Sequence, residues 1–326
     1  MQLAIAIIVA TFTLAAQGPG APSLAPPVVE WAPDGKILIT SGGLLARFDL
    51  DTGEEELLDR FGGTFTISPD GKTLALARGT VIELRSYPKL APEVQVWPPE
   101  GEEITALAWA PDGKRLAAGT DAGRVLVWAL EAGELVSDWQ PASPGTPVRL
   151  KFSADGLRLL AAFAEGHAVL LEFAQKGKEA AQLKVARQFE AVVLSGKNER
   201  VQTEVQDLTP DGRRILLTRV RGEESDVVLL DDAGKEVWRR AGYAMEFTRD
   251  GTGVLALGWP FRIAALYATT DAGALRVYEP PPEVGLLYFV RQSPDGTLLL
   301  GVGEDNRTKV LVLWEFETGR LLAVHR

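Results

Sequence analysis

The chain of 326 residues contains no cysteine. That excludes disulfides, thiolate metal sites, a cysteine nucleophile and a lipidated cysteine. Histidine occurs twice, at His167 and His325, too few for a multi-histidine metal centre. No metal and no cofactor is therefore expected. Positive charge is in the minority, with 34 Lys and Arg against 44 Asp and Glu and a net charge of −10. A nucleic-acid partner needs the opposite balance. Asparagine (Asn198, Asn306) and methionine are each present only twice. Such scarcity of thermolabile residues is shared by heat-adapted proteins and by GC-rich codon usage.

Long apolar runs are also scarce. The longest, residues 3–16 (LAIAIIVATFTLAA), has 14 residues, short of the roughly 20 that span a bilayer. It ends in Leu14-Ala15-Ala16, small residues suited to a signal-peptidase site. No Lys or Arg precedes it, a departure from the signal pattern that leaves an uncleaved anchor or a mis-assigned start as the alternative. Residues 17–27 (QGPGAPSLAPP) read as a stiff Pro-rich linker. The expectation is a signal peptide at 1–16, a linker at 17–27 and a body at 28–326. That body would be secreted or periplasmic and would not span a membrane after cleavage.

Catalytic signatures are missing as well. Ser195-Gly196-Lys197 lacks the rest of a phosphate-binding loop, and no Gly-x-Ser-x-Gly elbow occurs. A Ser-His-Asp triad would have to use His167 or the penultimate His325, a poor place for a precisely held base.

What is present is a repeat. A tetrapeptide ending in Asp-Gly recurs seven times: at Asp34-Gly35, Asp70-Gly71, Asp112-Gly113, Asp155-Gly156, Asp211-Gly212, Asp250-Gly251 and Asp295-Gly296. The glycines are 36, 42, 43, 56, 39 and 45 residues apart. In its fullest form the tetrapeptide is Ser68-Pro69-Asp70-Gly71. Proline pre-sets φ, aspartate bonds to nearby backbone and glycine takes the left-handed conformation of a tight turn. Strand-like segments flank it, as in ITALAW (104–109) and RLAAG (115–119), followed by RVLVW (124–128). A second turn recurs at Asp51-Thr52-Gly53, Glu131-Ala132-Gly133, Asp232-Ala233-Gly234, Asp271-Ala272-Gly273 and Glu317-Thr318-Gly319. Four short strands per unit of 40 to 45 residues predict a β-propeller blade. The whole is expected to be an all-β, seven-bladed β-propeller of four-stranded antiparallel blades.

These residues resemble WD-repeat propellers and their bacterial relatives with Ser-Pro-Asp-Gly turns, including the propeller domains of TolB-like proteins. The best match is residues 104–135, then 309–322, and the resemblance covers about 28–326. It implies fold more than function, because propellers host many activities. The Gly-His pair that precedes the first strand in that family is absent from every repeat. The Trp closing the third strand survives only at Trp128 and Trp314. The family's buried His–Ser–Asp–Trp network thus cannot be complete, and the blades should rely on apolar packing between neighbours.

Each blade is expected from one contiguous stretch. An extra strand from residues 23–27 is the alternative. Residues 191–207 read either as a hairpin turning at 195–200 or as two long strands. Seven of the eight tryptophans fall at repeat positions and read as blade packing. Trp259 is the exception, in Gly258-Trp259-Pro260-Phe261-Arg262.

In a propeller, the loops linking second to third strands lie on the face opposite the Asp-Gly turns. Those loops carry Arg78, Glu165, His167, Arg221, Trp259, Phe261, Arg262, Asp305 and Arg307. Trp and Arg are enriched at binding hot spots. Trp259, Phe261 and Arg262 are therefore the expected anchor, with Arg221, Arg307, Asp305 and His167 around them. The reading is a monomeric, non-catalytic scaffold in the cell envelope that binds a protein partner. The alternatives are a small molecule or glycan bound at a central opening, and a hydrolase or lyase using carboxylates there.

Overall fold

The computed structural model describes residues 29–326 apart from 33, 42–43, 61–62, 99–100, 143–144, 174–182, 190–200, 223, 259–260 and 306–307. The expected signal segment 1–16, the linker 17–27, the alternative strand at 23–27 and the turn at 195–200 lie outside the described residues. Among the described residues there are 28 strands and no helix. They form seven four-stranded sheets, each of four consecutive strands in sequential order. The blades span residues 29–60, 65–96, 104–139, 147–189, 201–241, 243–278 and 286–325. This is the seven-bladed antiparallel architecture that the repeat predicts.

The Asp-Gly tetrapeptide makes the hairpin between first and second strands in every blade. All seven turn glycines have positive φ, between 67° and 78°. An L side chain would be strained there, so glycine is required. The aspartate closes the turn by accepting the N–H two residues on, as at Lys72 (3.1 Å), Lys114 (2.9 Å) and Thr297 (3.0 Å). In blades 2, 4, 5, 6 and 7 a Ser or Thr two residues earlier donates its hydroxyl to the same carboxylate at 2.6 Å. Blades 1 and 3 have Ala32 and Ala110 at that place. The second turn behaves alike, with left-handed Gly53, Gly133, Gly234 and Gly319. In blade 6 the left-handed residue is Ala272 instead of Gly273.

In blades 1, 2, 3, 5, 6 and 7 the third and fourth strands slip register at a bulge. A bulge increases twist and turns an outer edge away from regular pairing with other chains.

The chain divides into two compact units. One comprises Met1–Phe152, Gly156–Glu165 and Val169–Gln188; the other comprises Ser153–Asp155, Gly166–Ala168 and Phe189–Arg326. In the first unit, blades 1 and 2 share a core of Leu38, Leu45, Phe65, Leu74 and Leu76. Blades 2 and 3 share Ile82, Leu84, Leu116, Leu126 and Trp128. Blades 3 and 4 share Val127, Leu150, Phe152, Leu159 and Phe173. In the second unit, blades 5 and 6 share Leu229, Trp238, Phe247 and Val254. Blades 6 and 7 share Leu255, Leu266, Tyr278, Leu287 and Trp314. Each apolar layer draws on two successive blades, as expected without the buried polar network. Trp314, fully buried, lies so close to Gly301 that a Cβ there would sit 2.6 Å from its ring.

The tryptophan reading needs one correction. Trp31, Trp128, Trp238 and Trp314 are buried, and Trp109 and Trp139 are half-buried. Trp97 is 62% exposed. It follows the end of its strand, Pro92–Val96, and is not part of the packing between blades.

Polar ties add to the apolar layers. In the first unit Asp59 of blade 1 pairs with Arg78 and with Arg85 (3.3 Å) of blade 2, and both arginines also pair with Glu83 (3.1 and 2.6 Å). Arg115 of blade 3 lies over the Phe152 and Phe173 rings of blade 4, at 5.7 and 4.8 Å. Thr105 of blade 3 also donates to the Pro147 carbonyl of blade 4 at 2.5 Å. In the second unit two carboxylates reach the main chain. Asp207, on the first strand of blade 5 (Val201–Leu208), accepts the Phe247 N–H of blade 6 at 2.7 Å. Glu246, on the first strand of blade 6 (Tyr243–Phe247), accepts the Gln292 N–H of blade 7 at 2.8 Å. Asp207 and Glu246 both stand five residues before their turn glycine.

Candidate functional site

The first strand of each blade runs toward the Asp-Gly turn and the second runs back. The hairpins from second to third strand therefore lie at the opposite end of their blades, where the sequence places the candidate residues. Arg221 ends the second strand of blade 5 (Ile215–Arg221) and is exposed. Arg262 precedes the third strand of blade 6 (Ile263–Ala268) and is exposed. Asp305 ends the second strand of blade 7 (Leu298–Asp305) and pairs with Arg326 at 3.0 Å. Arg326 also reaches Glu283 at 3.4 Å. The bond to Asp305 comes first among the influences that hold the Arg326 guanidinium above its ordinary pKa. His167 is half-buried just before the third strand of blade 4. Arg78 belongs to the ion-paired group with Asp59, and Glu165 accepts the Thr146 N–H at 3.0 Å. Trp259 and Arg307 lie outside the described residues.

The expected exposed anchor changes in one respect. Phe261 is 7% exposed, a core residue between blades 6 and 7. Its ring meets Tyr243 edge-on, with centroids 6.3 Å apart. Its carbonyl accepts the Leu287 N–H of blade 7 at 2.8 Å, and its own N–H donates to the Gly258 carbonyl at 2.5 Å. An aromatic ring next to a chain reversal reads as exposed in sequence; here the neighbouring blade supplies the cover.

Phe261 leads to residues that sequence reading missed. The Tyr243 hydroxyl donates to Glu204 of blade 5 and accepts from Gln206 Nε2 at 3.1 Å. Gln206 also lies 3.3 Å from the same Glu204 oxygen. In blade 7, Tyr288 donates to Glu304. Burial first, then the Glu304 carboxylate, push the Tyr288 phenol above its ordinary pKa. One signal was available in the sequence. The first strand of blade 5 reads VQTEVQDL, with Glu204 and Gln206 where other first strands are mostly apolar.

Among the described residues, no group of three or more His, Asp or Glu side chains is placed to hold a metal ion. Glu204 and Glu304 are each engaged as acceptors by a phenol. Arg221 and Arg262 instead present charged, forked donors to solvent, suited to carboxylate groups of another molecule.

Comparison with known proteins agrees with the architecture. The family model for the anaphase-promoting complex subunit 4 WD40 domain matches residues 91–148. That segment includes all of blade 3, strands Ile104–Trp109 to Glu134–Trp139. Among curated proteins none matches this sequence. Of the solved structures, the β-propeller domain of Cps50 (Swd1) from Myceliophteria thermophila superposes with a TM-score of 0.60 at 14% identity. The match covers 80% of this chain and 85% of that one. At that identity the likeness concerns fold. Taken with seven Asp-Gly hairpins and seven sequential four-stranded sheets, it shows a seven-bladed β-propeller fold, one part of which is similar to a WD40 domain.

Proposed function

We propose that this protein is a non-catalytic, extracytoplasmic scaffold that takes a protein partner on the hairpin end of blades 5 to 7, through Arg262 and Arg221. The observation that carries the reading is how Arg262 is presented. Its neighbour Phe261 is locked into the core, so the exposed guanidinium sits on a fixed stem. A preorganised arginine binds with less ordering cost than one on a loose loop. The extracytoplasmic part of the reading is supported by the apolar run at 3–16 with its Ala15-Ala16 end.

The test is capture from separate envelope and cytosolic extracts with wild-type protein, Arg262→Ala and Arg221→Ala, quantified by mass spectrometry. One envelope protein should be recovered by wild type and reduced about tenfold or more by Arg262→Ala, the size of a hot-spot arginine. Equal recovery by all three proteins sinks the proposed surface. Recovery from cytosol alone sinks the extracytoplasmic reading.

A further inference from the structure

Phe261 combines two features that do not normally occur together. Its φ is +67°, a left-handed conformation that is an outlier for a bulky L residue. Yet its side chain is buried, sharing a core cluster with Tyr243, Leu257, Val284 and Leu287. No turn glycine stands there to make the conformation easy. Within the turn only the Phe261 N–H bond to the Gly258 carbonyl is seen, and contacts from outside the turn add to it.

Two contacts on Phe261 do so, and a third blade fixes one of them. The Tyr243 ring of blade 6 meets the Phe261 ring edge-on. Tyr243 is in turn fixed through its hydroxyl by Glu204 and Gln206 of blade 5. The Leu287 N–H of blade 7 clamps the Phe261 carbonyl. We infer that Phe261 is a positioning residue whose seated ring holds its own backbone left-handed, so that the packing of blades 5, 6 and 7 sets where the next residue, Arg262, is presented. The surface then does not depend on the turn's own sequence preference. It depends on blade docking, and it loosens wherever the Glu204–Tyr243–Phe261 contacts loosen. The relevance to binding rests on the proposed function. The conformational claim does not.

Hydrogen exchange at the Leu287 amide tests it without any partner, because that amide's acceptor is Phe261 itself. Phe261→Ala removes the ring but keeps a Cβ that disfavours positive φ, so the turn should relax. Leu287 exchange should then rise about tenfold or more, by local opening. Phe261→Gly also removes the ring, but glycine accepts positive φ, so Leu287 should stay closer to wild type. Tyr243→Phe, which deletes only the hydroxyl, should give a smaller rise than Phe261→Ala. Amides of the strand Thr308–Glu315 report that blade 7 remains folded. If Phe261→Ala does not fold, Phe261→Leu takes its place and should fall between alanine and wild type. Equal Leu287 exchange in the alanine and glycine variants overturns the inference, as does unchanged exchange in both. Arg262→Ala should leave Leu287 exchange alone. A failed capture experiment with intact exchange effects would therefore refute the partner surface and not the positioning role.

Discussion

The two units carry the same repeat and place the ties between their blades at different positions. In the first, polar ties between blades run through arginines on half-exposed ground: Arg78 and Arg85 around Asp59 and Glu83, and Arg115 over Phe152 and Phe173. The first unit also ties side chain to main chain, with Thr105 donating to the Pro147 carbonyl at 2.5 Å and Ser137 accepting the Leu183 N–H at 3.4 Å, and the second also has an arginine pair, Arg291 with Glu246 at 3.4 Å. In the second, buried side chains bond the main chain of the next blade. Asp207, 2% exposed, accepts the Phe247 N–H; Thr218 accepts the Ala244 N–H at 3.0 Å; Tyr278 donates to the Phe316 carbonyl at 2.9 Å. One such position lies five residues before the turn glycine. The first unit has Glu30, Thr66, Ala108 and Lys151 there, and the second has Asp207, Glu246 and Arg291. The repeat thus encodes the blade, while the links named above are written at single positions outside the repeated tetrapeptide. Half-exposed ion pairs give little stability and are screened by salt. A buried carboxylate on a backbone N–H is costly to remove, because the N–H is left unsatisfied.

Equivalent positions in the two units make this contrast breakable. Trp238 and Trp97 both stand 26 residues after their turn glycine. Trp238 is buried against Tyr267 and donates to the Thr269 carbonyl at 3.3 Å, whereas Trp97 faces solvent. Urea denaturation should show Trp238→Ala destabilised by about 3–5 kcal/mol, and Trp97→Ala changed by no more than about 0.5 kcal/mol. Similar losses would mean that Trp97 is covered after all.

A smaller effect is expected at the ties themselves. Asp207→Ala should cost about 2–3 kcal/mol with little dependence on salt, while Thr66→Ala costs less. Arg85→Ala should cost about 1 kcal/mol or less, and most of that loss should vanish in 1 M salt. A salt-insensitive loss at Arg85, or a salt-sensitive one at Asp207, would reverse the assignment of the two modes.

The smallest effect concerns the turns, which the units share. The Ser68 hydroxyl first, then the Lys72 N–H, hold the Asp70 carboxyl below its ordinary value; Ser293 and Thr297 do the same for Asp295. Asp49 is pulled down to about 2, first by Lys36 and then by the Thr52 and Asp51 N–H groups. A depressed carboxylate contributes stability above its unfolded pKa of about 4, and this is lost as pH falls through the folded value. Melting temperature should therefore drop between pH 4 and about 2 for the Asp49 contribution. Ser68→Ala should lessen the part due to Asp70. A flat melting temperature across that interval would show that these turns contribute nothing through their carboxylates.

Much of the fold was legible in the sequence because its signal is local. A Pro-Asp-Gly turn needs only its own dihedral angles and hydrogen bonds, so seven turns read as seven hairpins. The alternating apolar strands between them need only a face to bury. Blade 6 shows where even local reading slips by a residue, since Ala272 and not Gly273 takes the left-handed place. The candidate site was legible only in part. Arg221 and Arg262 are exposed at the hairpin end, as the order of strands implies. Tyr243, Glu204 and Gln206 were not singled out, because their partnership joins residues 37 and 39 apart on different blades.

By itself, the sequence determined the number of blades, their order and the turns that build them, because those follow from backbone chemistry within a few residues. Only the tertiary structure decided which aromatic is covered and which is bare. Phe261, beside an exposed arginine, is buried because blade 7 closes over it; Trp97, at the same repeat place as a buried tryptophan, is exposed because nothing does. Burial belongs to the neighbouring blade, and no local pattern carries it.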